Sequence, residues 1–168
     1  MHPHLHRAET ALTDCAARLT LEQLVRHPDG KWSAADILEH LGLAFSRTAD
    51  GMQRVLDRTL APPSPPKAAH RFRTFLVVGC GYFPSGRTSP KEVAPVGNNP
   101  AEVLASALAS LRRMDGVLDA VAQGFGVRTK VLKHHVLGPM SVADWRKFHW
   151  IHTRHHARQI ADLTGASR

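Results

Sequence analysis

Four histidines lie within eight residues near the C-terminal end of the chain: His149, His152, His155 and His156. No proline or glycine interrupts this stretch, and apolar residues recur in it at helical spacing, which predicts a helix. Residues three and four apart lie on one face of a helix, so His149, His152, His156 and Gln159 share a stripe. His155 points away from that stripe.

This histidine stripe has the residue type and spacing of a metal site. A neutral imidazole is the commonest metal ligand in proteins. Two imidazoles on consecutive turns can bind one ion, as in the helix motif of zinc proteases. The alternative is a solvated or hydrogen-bonded histidine cluster, and the stretch alone does not decide between the two.

A further histidine is predicted to face the core from the second long helix. Ser33 is the predicted N-cap and Asp36, at the third helical position, completes a capping box. The helix is predicted to run to about Leu60, and its apolar stripe places His40 beside Leu41 on the inward side. A lone inward histidine is more often a hydrogen-bonded core residue than a ligand. The second group of histidines is what favours a ligand role.

The remaining helices are predicted from apolar stripes with caps or breakers at their ends. They span residues 5–19, 20–26, 99–123 with Asn99 as N-cap, and 141–165 with Ser141 as N-cap and Gly165 at the end. Residues 71–82 could be a strand or a short helix, and residues 134–140 a turn-rich link. The proline- and glycine-rich connection from Phe83 to Pro100 is predicted to lie over one end of the fold and to wall the site.

These elements predict an all-α fold, an antiparallel four-helix bundle with a long crossover loop. The chain has 168 residues, the size of one ordinary domain, and we predict a single domain over residues 1–168. Bundles place metal sites between inward side chains of facing helices. If the second and fourth long helices are neighbours, His40 meets His152 and His156. Three imidazoles leave a coordination position open, as in catalytic sites.

Three further residues could support such a site from outside the ligand set. Asp36 lies one turn before His40 and could orient an imidazole or act as a general base, although helix capping is the simpler interpretation. His149 and Gln159 lie on the ligand stripe as possible supporting groups. Their alternative role is core packing or a polar core contact.

Composition limits the classes of partner. The formal net charge is +8, but lysine and arginine are spread along the chain without a nucleic-acid motif, which argues against a nucleic-acid partner. The sequence has no signal-peptide core and no run of 18 apolar residues, which predicts a cytoplasmic protein without a membrane partner. Cys15 and Cys80 are far apart in sequence and are predicted to be free thiols.

Several short motifs together resemble the DinB/YfiT-like superfamily, and most closely an uncharacterised branch of it. They are Trp32-Ser33, Glu39-His40-Leu41, His134, Leu137-Gly138-Pro139-Met140-Ser141, His152-Thr153-Arg154-His155-His156 and Gln159-Ile160. The resemblance covers the second and last long helices and is weak over residues 61–100. It implies a four-helix bundle that holds one divalent metal ion on one histidine of the second helix and two, four apart, of the last. These positions are His40, His152 and His156, and zinc, nickel, iron and manganese all remain open.

The same resemblance implies a metal-dependent enzyme, either a hydrolase or a thiol-cofactor-dependent transferase. Its expected partner is a small-molecule substrate, including a low-molecular-weight thiol, and a homodimer is left open. Four arginines could form a cationic rim for an anionic substrate or could be ordinary solvated surface: Arg71, Arg73, Arg154 and Arg158. The alternative function is a non-catalytic metal-binding or stress-response bundle, in which the ion stabilises the fold.

Overall fold

The computed structural model of the chain describes residues 1–28, 30–83 and 89–164. Within these residues the fold is mostly helical, with six α-helices and one two-stranded hairpin. The elements are α1 (Pro3–Ala16), α2 (Leu21–Val25), α3 (Ala34–Leu56), α4 (Ala68–Thr74), α5 (Val103–Phe125), β1 (Lys130–His134), β2 (Gly138–Ser141) and α6 (Val142–Thr164). Helix packing is consistent with a bundle. The hairpin corrects the all-α expectation, because residues 134–140 were predicted as a link without strands.

The two most extensively packed helices, α3 and α5, run in the same direction. Near their beginnings, Gly42 lies so close to α5 that a Cβ there would be 3.1 Å from the Cα of Ala107. Further along both helices, Arg113 forms an ion pair with Asp50 at 2.8 Å. The antiparallel bundle expected from sequence is therefore wrong for this pair.

Antiparallel packing does occur elsewhere in the bundle. On α3 and α6, His40 contacts His152 whereas the later Thr48 contacts the earlier His149. A parallel α3–α5 pair requires a long crossover between the two helices, as predicted, and residues 57–102 supply it. The start of the chain also joins the bundle, because the amide of His2 donates to Asp115 in the middle of α5.

The crossover contains local helical structure. Of residues 71–82, predicted as strand or short helix, residues 71–79 lie in α4 and in a π-helical turn, Phe75–Gly79, that continues it, and residues 80–82 follow without regular structure. A 3₁₀ turn, Lys91–Val93, follows later. Of the connection predicted from Phe83 to Pro100, residues 84–88 lie outside the described residues.

The predicted helix starts are confirmed where a capping box marks them. The boxes are Thr20 with Gln23, Ser33 with Asp36, and Ser141 with Asp144. The start of α5 was predicted too early: the helix begins at Val103, and Asn99 caps only a preceding turn by accepting from the amide of Ala101 at 3.1 Å. Such local side-chain bonds compete with helix formation. Gly165, the predicted end of α6, lies outside the described residues.

The hairpin connects α5 to α6 and depends on a glycine. Gly138 begins β2 with a φ of +76°, a conformation that side-chain-bearing residues rarely adopt. A Cβ at this position would lie 2.5 Å from the imidazole of His70 on α4. Thr74 also donates to the carbonyl of Leu137 at 3.0 Å. The hairpin is thereby packed against α4 immediately before α6 begins.

The core lies between the four long helices and the hairpin. Its largest fully buried apolar side chains are Leu5, Leu12, Leu38, Leu41, Phe45, Met52, Leu111, Met114, Leu118, Met140 and Ile160. Burial of side chains of this size is the main favourable contribution to folding. Across the described ranges, no helix is both long and apolar enough to cross a membrane.

Candidate metal centre

Three imidazoles meet in the interior between α3 and α6. His40, His152 and His156 are 3%, 6% and 7% exposed. The Nε2 atom of His152 lies 3.2 Å from that of His40 and 3.0 Å from that of His156. The three side chains therefore lie together, as the sequence analysis predicted. The cluster could hold a metal ion.

Acceptors on the far side of two rings determine which nitrogen carries the proton. The Nδ1 atom of His40 lies 2.7 Å from the carbonyl oxygen of Val93, and that of His156 lies 2.7 Å from Oε1 of Gln159. Each Nδ1 therefore carries the ring proton and donates a hydrogen bond to its oxygen, which leaves each Nε2 with a lone pair. Hydrogen bonds of this kind fix the tautomer of metal-binding histidines.

Two such lone pairs and the Nε2 of His152 cannot all be satisfied by hydrogen bonds to one another. If His152 carries its proton on Nε2, that one N–H donates to one neighbour and leaves the other nitrogen facing it without a bond. A cation in the middle accepts all three lone pairs. Nitrogens at zinc-ligand distance in a tetrahedral arrangement lie about 3.3 Å apart, close to the separations seen here. The donor set therefore fits a divalent ion.

Burial keeps these rings neutral. Desolvation lowers the pKa of His40 and, helped by the neighbouring His156, takes the pKa of His152 well below its ordinary value. The pKa of His156 is lowered to about 3, again mainly by burial and then by His40. Near neutral pH the three rings consequently offer lone pairs, which is the form in which histidine binds metal.

Aromatic side chains surround the cluster. The ring of Trp32 lies 5.1 Å from that of His40. Phe83 stacks on His152 at 5.1 Å and contacts His155 at 4.9 Å, and Phe148 stacks on the same His152 at 5.5 Å. These rings restrict the imidazole orientations and exclude water from much of the cluster. Phe83 and Val93 belong to the connection that was predicted to wall the site, and that prediction is confirmed for these two residues.

Glu39 is a residue that sequence reasoning missed. The residue is 6% exposed, and its carboxylate accepts hydrogen bonds from the amides of Val96, Gly97 and Asn98 and from the side chain of Asn98, at 2.8–3.1 Å. It thereby holds residues 93–98, called the connecting segment below, on α3. The signal in the sequence was its place in the Glu39-His40-Leu41 motif, but its role could not be predicted, because three of its four partners are backbone amides of an irregular segment.

The other predicted site residues differ in their distance from the cluster. Gln159 contacts it directly, because its Oε1 accepts from His156 as described above. Asp36 accepts from both the amide and the hydroxyl of Ser33, as a capping residue does, and its carboxylate also lies 3.4 Å from Nδ1 of His27. His149 lies 3.0 Å from the hydroxyl of Thr48 and packs on aromatic rings, outside the hydrogen bonds of the cluster.

The four arginines of the predicted cationic rim differ in burial. Arg154 is half-buried and donates to the carbonyl of Gly81 at 3.2 Å, two residues before Phe83. Arg71, Arg73 and Arg158 are exposed. Both cysteines are free, as predicted.

The fold and site define a helical-bundle protein with a buried three-histidine cluster that could bind a metal ion. A family model described as a protein of unknown function, DUF1569, matches residues 3–163. The chain therefore belongs to the DUF1569 family. No curated protein and no solved structure matches it significantly.

Proposed function

We propose that the protein binds one divalent metal ion through the Nε2 atoms of His40, His152 and His156 and uses it in catalysis on a small molecule. The observation that carries the proposal is the convergence of three buried Nε2 atoms, two of which are left with lone pairs by acceptors at Nδ1. Three histidines on a zinc-like ion leave one position for water or substrate. The resemblance to the DinB/YfiT-like superfamily agrees with this ligand set.

The reaction we propose is hydrolysis or transfer of a low-molecular-weight thiol to a small electrophile. A divalent ion at this site would lower the pKa of a bound water or thiol and polarise a carbonyl. The protein residues have supporting roles: Gln159 and the Val93 carbonyl orient two of the ligands, and Phe83 and Trp32 limit access of water. For a carboxylate-bearing thiol, the half-buried Arg154, which lies between His152 and His156 in sequence, is the proposed cationic partner.

Metal binding is tested by elemental analysis of protein purified without a histidine tag. We expect about one equivalent of a divalent metal, lost in His156→Ala and in the double variant His40→Ala/His156→Ala. His155→Ala is the matched control, because it changes an adjacent histidine that is not one of the three ligands and should leave the metal bound. Full occupancy in the double variant would refute the proposed site.

A non-catalytic metal-binding role is the second candidate, and the burial of all three ligands favours it. The two functions differ in whether the ion has an exchangeable position. Protein loaded with cobalt should change its visible absorption spectrum when a small thiol binds the ion directly. A spectrum that does not respond to thiols, azide or cyanide would favour the structural role over the enzyme.

A further inference from the structure

The residue before the first ligand holds the segment that touches that ligand. The carboxylate of Glu39 accepts three consecutive backbone amides and one side-chain amide from the connecting segment. In the same segment, the carbonyl oxygen of Val93 accepts the Nδ1 proton of His40. Adjacent residues of α3 therefore hold the two ends of the connecting segment, one through a carboxylate and one through a candidate ligand.

The contact with Val93 requires one tautomer of His40. With the proton on Nδ1, the ring donates to the carbonyl and its Nε2 lone pair faces the cluster. With the proton on Nε2, the ring can donate to Nε2 of His152, but its Nδ1 lone pair then faces the carbonyl oxygen and repels it. A metal ion bound at Nε2 excludes the second tautomer. Metal binding thus favours the state in which the connecting segment is closed on α3.

We infer that Glu39 is a positioning residue for the metal centre, and that metal binding and closure of the connecting segment on α3 are coupled; this inference rests on the proposed function. Glu39 keeps the segment in place when the metal is absent, so that the Val93 carbonyl is ready to fix the His40 tautomer. Coupling between two sites is reciprocal in free energy. Loss of the Glu39 contacts therefore weakens metal binding, and loss of the metal loosens the segment.

The test compares zinc affinity in the wild type, Glu39→Gln and Val55→Ala, measured by competition with a chromophoric chelator. The Gln side chain keeps the size of Glu39 but replaces one acceptor oxygen by a donor, which opposes the amides that faced that oxygen. Val55 is a buried core residue of the same helix. It lies about 22 Å from His40 by helical rise, so its variant controls for general destabilisation.

We expect Glu39→Gln to weaken zinc binding about 10- to 100-fold, the range found for residues that orient metal ligands, and Val55→Ala to leave it unchanged. Equal affinity of Glu39→Gln and the wild type, or equal weakening in both variants, overturns the inference but not the proposed function. A wild-type protein that binds no zinc overturns both.

Hydrogen exchange of the wild type provides a second measurement that does not depend on the folding of any variant. The amides of Val96, Gly97 and Asn98 are the groups bonded to Glu39. Zinc should slow their exchange by at least the factor by which Glu39→Gln weakens zinc binding, since the coupling between zinc binding and closure acts equally in both directions and the variant removes at most the whole of it. Exchange in this segment that is the same with and without zinc contradicts the coupling.

Discussion

The buried ring of His149 should make the stability of the protein depend on pH. His149 is 1% exposed, and burial, with a smaller contribution from His134, lowers its pKa from 6.5 to about 3. Between these values the unfolded chain binds a proton at this position and the folded chain does not. Above pH 6.5 the titration of His149 therefore costs the folded state no stability, and the free energy of unfolding decreases as the pH falls from 6.5 towards 3.

The expected size of this effect follows from the two pKa values. A pH of 5.0 lies about 1.5 units below the pKa of His149 in the unfolded state. Protonation of His149 in the unfolded chain therefore lowers the free energy of unfolding by about 2 kcal/mol at this pH. His149→Gln removes the titrating group and retains a side chain that can hydrogen-bond to Thr48. The variant should lose about 2 kcal/mol less than the wild type between pH 7.5 and pH 5.0. Other buried histidines contribute to the loss in both proteins and cancel in this comparison.

Urea unfolding with a chelator present, at pH 7.5 and pH 5.0, measures this difference. With a slope of roughly 2 kcal/mol per M for a chain of this size, the two proteins should differ by about 1 M in the acid-induced shift of their midpoints. The control is His6→Gln, a histidine substitution at a side chain that is 69% exposed, and this variant should retain the wild-type shift. If His149→Gln retains it too, the assignment of the acid sensitivity to His149 is wrong.

Two further predictions concern the hairpin and the thiols. Gly138→Ala should destabilise the fold by about 1–3 kcal/mol, because the added Cβ would overlap the ring of His70 and because φ at this position is positive. Thermal unfolding measures this change, and a Tm equal to that of the wild type would contradict it. Cys80, which is exposed, should react with a thiol reagent in the native protein, whereas Cys15, which is partly buried and whose pKa is raised to about 11 by burial, should react much more slowly until the protein unfolds. Equal native reaction rates of the two thiols would refute the second prediction.

The candidate ligands could be found from sequence because helical periodicity determines which side chains share a face. His152 and His156 are one turn apart, and His40 lies on the apolar stripe of α3, so their burial follows from local pattern. Capping boxes marked the starts of α2, α3 and α6, because each box pairs two residues only three positions apart in sequence. Each of these features depends only on residues close together in the chain.

Features that depend on distant or irregular segments could not be found in the same way. The role of Glu39 depends on backbone amides of residues 96–98, which have no side-chain signature. The hairpin was missed because its strands are short and lack an alternating pattern. The parallel direction of α3 and α5 depends on the path of the crossover, which hydrophobic periodicity does not encode.

The parallel pairing of α3 and α5 has a consequence for the folding kinetics of the chain. Two helices joined by a short turn can dock as soon as both form, but a parallel pair must first close the long crossover loop. The contact between His40 and His152 is still more distant, because the two residues are 112 positions apart in sequence. Such non-local contacts slow folding. We therefore expect zinc to accelerate refolding little and chiefly to slow unfolding, because its three ligands come together only after the helices have docked.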